Sequence, residues 1–365
     1  MSAMPDPAEA FSATYAEARG KFLAAATARG YGLESHVHPT ARGAAGEPLA
    51  LDVATGGRPG AKRLLVITSG THGVEGHCGS GCQVGLLRDD AFATAVDAAG
   101  VAVAMVHAVN PYGFSHLRRT NEDNVDLNRN FRAFATPPEP NAEYAEVHRL
   151  LVPETWPPPR ENEAHIAAYI ASRGPAAFQR AVSSGQCEFA DGLFYGGSGP
   201  AWSNTVLRGV LRSRGATRES VALVDVHTGL GPCGLGEKIY LGRDDAAAVG
   251  RTRSYFGADV TSYYDGSSTS APLTGVIFEA ALDACPAAEF TGIGLEFGTL
   301  DLPSVLDALR ADQWLANRAG ADDAQRAAIR RTMRDAFYVD RPDWKAMVWG
   351  QARVAALQAV KGLGR

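Results

Sequence analysis

The chain carries four short runs dominated by apolar residues, and each stops at a small or turn-forming residue. They are LLVIT at 64–68, closed by Ser-Gly; VAVAMVHAV at 101–109, closed by Asn-Pro; VALVDV at 221–226, closed by His-Thr-Gly; and GIGLEF at 292–297, closed by Gly-Thr. Runs of this length and closure fit inner strands of a parallel or mixed sheet, buried on both faces. Weaker strand patterns lie at 33–38, 48–53 and 238–241. Between the strands the apolar spacing becomes helical. Residues 7–29 set Phe11, Tyr15, Phe22 and Leu23 along an Ala-, Glu-, Lys- and Arg-rich segment that ends near Gly30. GHCGSGCQVGLLRDD, after Glu75, reads as a helix whose small residues permit close packing on the sheet. Further helices are predicted around 143–151, over 161–183, after Ser203 as the cap, and over 303–318, 322–336 and 342–361.

Strands alternating with helices place the chain in the α/β class. The expectation is a three-layer α/β/α single domain over 1–365, with a mixed, mostly parallel sheet. The N-terminal helix and strands occupy 1–60, a proline-punctuated excursion 132–220, and C-terminal helices 300–365. Within the excursion, GLFYGGSGPAWSN at 192–204 reads either as a wall of the site or as a packing loop. TSYYDGSSTSA at 261–271 reads as loop.

Composition narrows the field. Hydrophobic residues make up 45% of 365, enough for a substantial core, and the net charge of −5 is spread without a basic block. That pattern offers nothing to a phosphate backbone, so no nucleic-acid partner is expected. Five cysteines, an odd number with no C-x-x-C, suggest neither a disulfide framework nor a cysteine zinc cluster. The first residues lack a basic region followed by an apolar core. No apolar stretch approaches the ~18 residues of a membrane span. A cytoplasmic protein is the expectation.

The chemistry lies where the inner strands stop, the position of ligands and catalytic groups in open α/β sheets. The loop after 64–68 carries His72 and Glu75, an H-x-x-E pair. Imidazole nitrogen and carboxylate oxygen are both zinc donors, and a third protein ligand makes a catalytic site with its fourth position open. His227, after the 221–226 run, is the third candidate. Glu296, in the last inner strand, is placed to take a proton from water and pass it to a leaving nitrogen. His77 is a rival donor, since HGVEGH offers it nearby. Gly73 and Gly76 work against a regular helix there, and the helical H-x-x-E-H spacing is not met.

Six motifs follow one another in order: His72-Gly-Val-Glu75, Asn110-Pro111-Tyr112-Gly113, Arg118-Arg119-Thr120, Asp126-Leu127-Asn128-Arg129, Asp225-Val226-His227-Thr228 and Leu295-Glu296-Phe297-Gly298. As a set, spanning about 64–298, they resemble the zinc carboxypeptidase family, including its succinylglutamate desuccinylase and aspartoacylase relatives. The resemblance implies one zinc ion on His72, Glu75 and His227, and Glu296 as general base and then acid. It implies Arg118 as oxyanion stabiliser, with Arg119 as the rival, and Asn128 and Arg129 on a substrate carboxylate. Asp126 would orient a ligand histidine. The family also places a tyrosine on a mobile loop; of Tyr240, Tyr255, Tyr263 and Tyr264, the last two are assigned because their loop is rich in glycine and serine. The implied activity is cleavage of an amide beside a free carboxylate. The substrate is then a peptide, for a carboxypeptidase, or an N-acyl amino acid, for a deacylase. Asp-x-His-Thr looks like the desuccinylase side, yet those relatives carry a small β domain after the glutamate, where this chain has helices. A third reading, a non-catalytic zinc-containing binding protein, would be expected to lose the base or the arginine.

Overall fold

The computed structural model describes residues 7–240, 242–318 and 320–365. Leu241, read as the last residue of the 238–241 strand, lies outside them, as do residues 1–6 of the N-terminal segment.

Eight strands form one mixed sheet: β1 (Gly32–Arg42), β2 (Pro48–Gly57), β3 (Arg63–Ser69), β4 (Ala102–His107), β5 (Ser220–Cys233), β6 (Gly236–Tyr240), β7 (Thr261–Ser262) and β8 (Glu289–Gly298). Their order is β1-β2-β4-β3-β5-β8-β6-β7. The four apolar runs are the central strands β4, β3, β5 and β8, mutually parallel, so their carboxyl ends share one edge. Antiparallel pairs lie outside this block, at β1/β2, β2/β4 and β6/β8.

Successive side chains on a strand face opposite ways. Leu65 and Ile67, Val103 and Met105, and Val224 and Val226 join one core layer with Phe22, Cys78, Phe92, Phe256 and Val348. Those residues come from the helices Tyr15–Ala28, Gly76–Arg88, Asp90–Ala99, Ala246–Phe256 and Pro342–Leu363. Leu64 and Val66, Ala104 and Val106, and Val221 and Leu223 join the opposite layer. There the helices Trp202–Gly215 and Ile277–Ala284 contribute Leu207, Leu211 and Phe278. A third cluster joins the excursion helices Ala142–Leu151, Arg160–Arg173 and Pro175–Ser183 to Leu302–Asn317 and Asp323–Phe337. It reaches the sheet edge through Val74, after β3, and Phe337, whose carbonyl accepts from Thr228 Oγ1 of β5 (2.7 Å).

The elements depart from the pattern reading in several places. The predicted helix over 161–183 is two helices, split at Gly174, whose φ of +86° disfavours residues with a Cβ; Pro175 then opens the second helix. Ser203 sits inside the first turn of its helix. The cap is Ala201, whose N–H goes to Asn130 Oδ1 (2.9 Å), a partner distant in sequence. The 7–29 helix begins only at Tyr15, where Thr14 Oγ1 accepts from Glu17 N–H (3.2 Å), and residues 7–10 form a separate 3-10 turn. The 261–271 loop contains β7. The helices Asp90–Ala99, Ala246–Phe256 and Ile277–Ala284 had no clear signal in the sequence. No helix among the described residues is long and apolar enough to cross a membrane.

Candidate functional site

The loop that follows β3 is fixed by its backbone before any side chain is considered. Glycine is required at Gly73, where a Cβ would lie 2.1 Å from the carbonyl carbon of Gly113. Gly73 and Val74 donate their N–H groups to the carbonyls of Arg119 (3.1 Å) and Arg118 (2.8 Å). Residues Gly73–Glu75 make one 3-10 turn and then enter the helix Gly76–Arg88. Sheet register does the rest: Thr68 pairs with Asp225 across β3 and β5, and His227 pairs with Glu296 across β5 and β8.

One donor atom each from His72, Glu75 and His227 falls within a 4.8 Å span, and all three residues are buried. His72 Nδ1 lies 2.8 Å from Glu75 Oε1, and His227 Nδ1 lies 2.9 Å from Glu75 Oε2. The two Nδ1 atoms are 3.3 Å apart. Each Nε2 turns outward to a carboxylate, His227 to Asp225 Oδ2 (2.5 Å) and His72 to Asp126 Oδ1 (3.3 Å). At His227 the carboxylate on Nε2 fixes the ring and leaves Nδ1 as the donor to a metal, whereas His72 Nε2 lies nearer a guanidinium nitrogen of Arg119 (2.7 Å) than the Asp126 carboxylate. Asp225 is held in turn by the hydroxyls of Thr68 (2.6 Å) and Thr71 (2.8 Å). Asp225 was not singled out from the sequence; the signal was Asp-x-His in a strand, which puts both side chains on one face.

Burial alone would raise the Glu75 carboxyl, but the neighbouring charge of His72 and the hydrogen bond from His227 outweigh it and hold it far below the usual carboxylate range. Burial alone would lower the His227 imidazolium, but Asp225 and Glu75 raise it well above its ordinary value. Two imidazole nitrogens and a carboxylate oxygen, with outer carboxylates orienting the rings, form the donor chemistry of a zinc centre with an open position. The residues present therefore fit the ion.

The cluster lies in a cleft of about 380 Å³ that Arg119, Asn128, Arg129 and Glu296 also line. Glu296 Oε1 accepts from Leu230 N–H (3.0 Å). Burial, reinforced by the charge of Glu75, pushes its carboxyl up to about 8. Arg119 spans the site: Nε donates to Asp126 Oδ2 (2.9 Å), Nη1 to Glu75 Oε1 (3.4 Å), and Nη2 lies 2.7 Å from His72 Nε2. Asn128 Oδ1 accepts from Ile277 N–H (2.9 Å), so its Nδ2 is the end left for a ligand. Arg129 is buried with its hydrogen bonds on carbonyls, to Ser183 (3.1 and 2.5 Å) and Asn128 (2.8 Å), and has no ion pair with an acid among the described residues. Burial lowers its pKa to about 10. Phe194, which the sequence did not single out, places its ring 5.0 Å from the Arg119 guanidinium and 5.5 Å from that of Arg129. It also lines the cleft, so the 192–204 segment contributes a wall.

Three expected site residues and one rival ligand lie elsewhere. Arg118 is buried away from the cleft, its Nε donating to Asp312 Oδ2 (3.0 Å) and its Nη2 to Asn124 Oδ1 (3.1 Å). Adjacent arginines diverge here, and Arg119 is the one that faces the cluster. Tyr263 and Tyr264 bond each other through their hydroxyls (3.1 Å), and Tyr264 also donates to the Gly242 carbonyl (2.9 Å). Neither lines the cleft, and no tyrosine does among the described residues. His77 sets Nδ1 3.1 Å from the Ser12 carbonyl, between the rings of Phe114 and Tyr338, outside the donor cluster.

The eight-stranded mixed sheet with its flanking helices has the carboxypeptidase fold. Similar solved structures include carboxypeptidase A from Helicoverpa armigera, at 12% identity and a TM-score of 0.52, covering 96% of this chain and 73% of that one. Bovine thrombin-activatable fibrinolysis inhibitor, solved in complex with tick carboxypeptidase inhibitor, is similar at 10% identity and a TM-score of 0.51, covering 97% of each chain. An aspartoacylase family protein from Mesorhizobium loti is also similar, at 14% identity and a TM-score of 0.35, covering 73% of this chain and 61% of that one. At these identities the first two likenesses show the fold. No curated protein matches the sequence. The chain belongs to the family described as "Protein of unknown function (DUF2817)", which it matches over residues 11–351.

Proposed function

We propose that this protein is a zinc-dependent hydrolase that cleaves an amide bond beside a free carboxylate, in the manner of a carboxypeptidase. One observation carries the reading. A single cleft holds a His-Glu-His donor set, a carboxylic acid outside that set, and a buried guanidinium with no acidic partner among the described residues. His72, Glu75 and His227 would hold the ion, which supplies Lewis-acid polarisation of a carbonyl and acidified water. Glu296 takes the proton of the attacking water and returns it to the leaving nitrogen as the C–N bond breaks. Arg119, in place of Arg118, meets the charge that develops on the carbonyl oxygen. Arg129 offers a planar fork to the substrate carboxylate and Asn128 a neutral donor. With both a base and an arginine in the cleft, a binding-only role leaves those groups without a purpose.

A second reading, an N-acyl amino acid deacylase, uses the same residues. It is favoured by the walls that the excursion and the Leu302–Asn317 helix raise around the cleft. Incubating zinc-loaded protein with mixed peptides and N-acyl amino acids, with mass spectrometry of the products, separates the two. Loss of single C-terminal residues supports the peptidase, and release of amino acids from acyl substrates alone supports the deacylase. No turnover in either set sinks the proposal.

Two further outcomes follow from the site. Asp225→Asn removes the carboxylate that orients His227, and zinc affinity is expected to fall about 10- to 100-fold, read by competition with a chromogenic chelator. Unchanged affinity would show that Asp225 has no such role. The raised carboxyl of Glu296 also makes stability depend on pH in the metal-stripped protein. Its folded value of about 8 lies above an ordinary 4.5, so the folded state favours the proton. The stability this provides is present below about pH 4.5 and is lost as pH rises through 8. The advantage of Glu296→Gln over the metal-stripped parent should therefore grow as pH rises between those limits and reach a few kcal/mol by about pH 9. Denaturant titration at pH 5 and pH 9 tests this; equal gains at both would refute it.

A further inference from the structure

The cleft beyond the donor cluster has its own chemistry, which narrows the substrate within the proposed function. Ile166 and Ile170 of Arg160–Arg173 and Phe178 of Pro175–Ser183 line it, together with Val305, Leu306 and Leu309 of Leu302–Asn317. Apart from the site residues already described, its charged lining residues are Glu163, Asp307 and Arg310. These pair with one another: Arg310 Nη2 meets Glu163 Oε1 at 2.8 Å, and Nη1 meets Asp307 Oδ1 at 2.9 Å. One guanidinium against two carboxylates leaves that trio net negative.

The cations of the cleft can be accounted for in the same way. Arg119 is matched by Asp126 and Glu75, and Arg310 by Glu163 and Asp307. Arg129 alone lines the cleft without an acid among the described residues. Apart from the ion that His72, Glu75 and His227 would hold, which the scissile carbonyl occupies in the proposed reaction, Arg129 is the one cation of the cleft without an ion pair among the described residues, and a substrate carboxylate matches it. A second carboxylate would lie against apolar side chains, where an unpaired charge is costly, or against the negative trio. A volume of about 380 Å³ lies near the small end of the roughly 300–1,000 Å³ of small-molecule sites.

We propose that the substrate is an amide with a single carboxylate and an uncharged, apolar body that fills the space between the excursion helices and Leu302–Asn317, and that dicarboxylic acyl substrates are rejected. This rests on the reading of Arg129 as the carboxylate site. An apolar acyl chain on an amino acid and an apolar side chain at a peptide C-terminus present the same chemistry, and the two substrate arms below separate them.

The test pairs binding with turnover. Binding of butanoate, octanoate, dodecanoate and octanedioate to metal-stripped Glu296→Gln protein is measured by calorimetry, so that no carboxylate can go to the ion. Affinity is expected to rise about fourfold per methylene until the cleft is full. Octanedioate should bind at least tenfold more weakly than octanoate, and Ile170→Glu should flatten the chain-length series. If that variant does not fold, the series on the parent decides alone. A flat series, or a diacid bound as well as the monoacid, overturns the inference. In parallel, wild-type protein is given N-octanoylglycine, benzyloxycarbonyl-glycyl-phenylalanine, N-acetylaspartate and N-succinylglycine. Cleavage of either of the first two supports the inference and assigns the acyl or the peptide source. Preference for the last two overturns it and leaves the hydrolase reading standing. A chain-length series with no amide cut does the reverse.

Discussion

Replacing Glu296 with glutamine is expected to leave zinc bound and to lower turnover by about 10²- to 10⁴-fold, the usual contribution of a positioned general base. The substitution is nearly isosteric, and the glutamine oxygen keeps the hydrogen bond that Leu230 N–H gives to Oε1. Glu296 is outside the donor cluster, so the ion keeps its three ligands. Register with His227 puts the side chain on the same face of the sheet as that histidine, and it lines the same cleft. The check is kcat on the first substrate found, alongside zinc content by atomic absorption. Full activity with full zinc would remove Glu296 from the mechanism. Loss of both would move it into the ligand set.

Arg118 and Arg119, adjacent in the chain, are expected to fail in different ways. Arg119→Ala should lower kcat by about 10²- to 10³-fold, as removal of an oxyanion donor does in comparable sites. Arg118→Ala should act on stability, because it strips a partner from the buried Asp312. Removing one member of a buried ion pair costs about 3–5 kcal/mol. Arg330 also reaches Asp312, so the lower end is expected. Thermal unfolding and kcat on both variants decide between them. A catalytic loss for Arg118→Ala with unchanged stability would reverse the assignment.

How much of this was legible in the sequence depended on whether the signal was local. The strand at 64–68 and its H-x-x-E loop were legible because an apolar run and a glycine turn are local facts. Alternation of strands and helices indicated a mostly parallel sheet with its chemistry at the strand ends but not the strand order, and the meeting of Glu75 and His227, 152 residues apart, was implied by the resemblance and is made by the fold. The direction of a loop side chain is not a local fact. Arg118 and Arg119 are alike in sequence. What separates them is that the loop ahead turns at Leu117, with φ of +55°, and that Asp312 waits in a C-terminal helix. Tyr263 and Tyr264 were assigned from glycine and serine content, which identifies a loop and says nothing of where its rings settle. Arg129 was assigned by resemblance. Its hydrogen bonds to the Ser183 carbonyl, within the excursion, and its lack of an acidic partner among the described residues emerged only in three dimensions.

The division of the cleft between two kinds of chain segment has a consequence for how this family can diversify. The donor residues and Glu296 belong to sheet strands and the loop that leaves β3, whose backbone is tied to Arg118 and Arg119. Much of the apolar wall belongs to helices inserted between Arg129 and β5, and these can change in length and side chain while the strand register stays as it is. Inheritance can then act on the two parts separately. A lineage can replace the segment around 160–183 and acquire a new substrate range while passing on the same reaction, and grafting that segment between family members would carry preference without carrying chemistry.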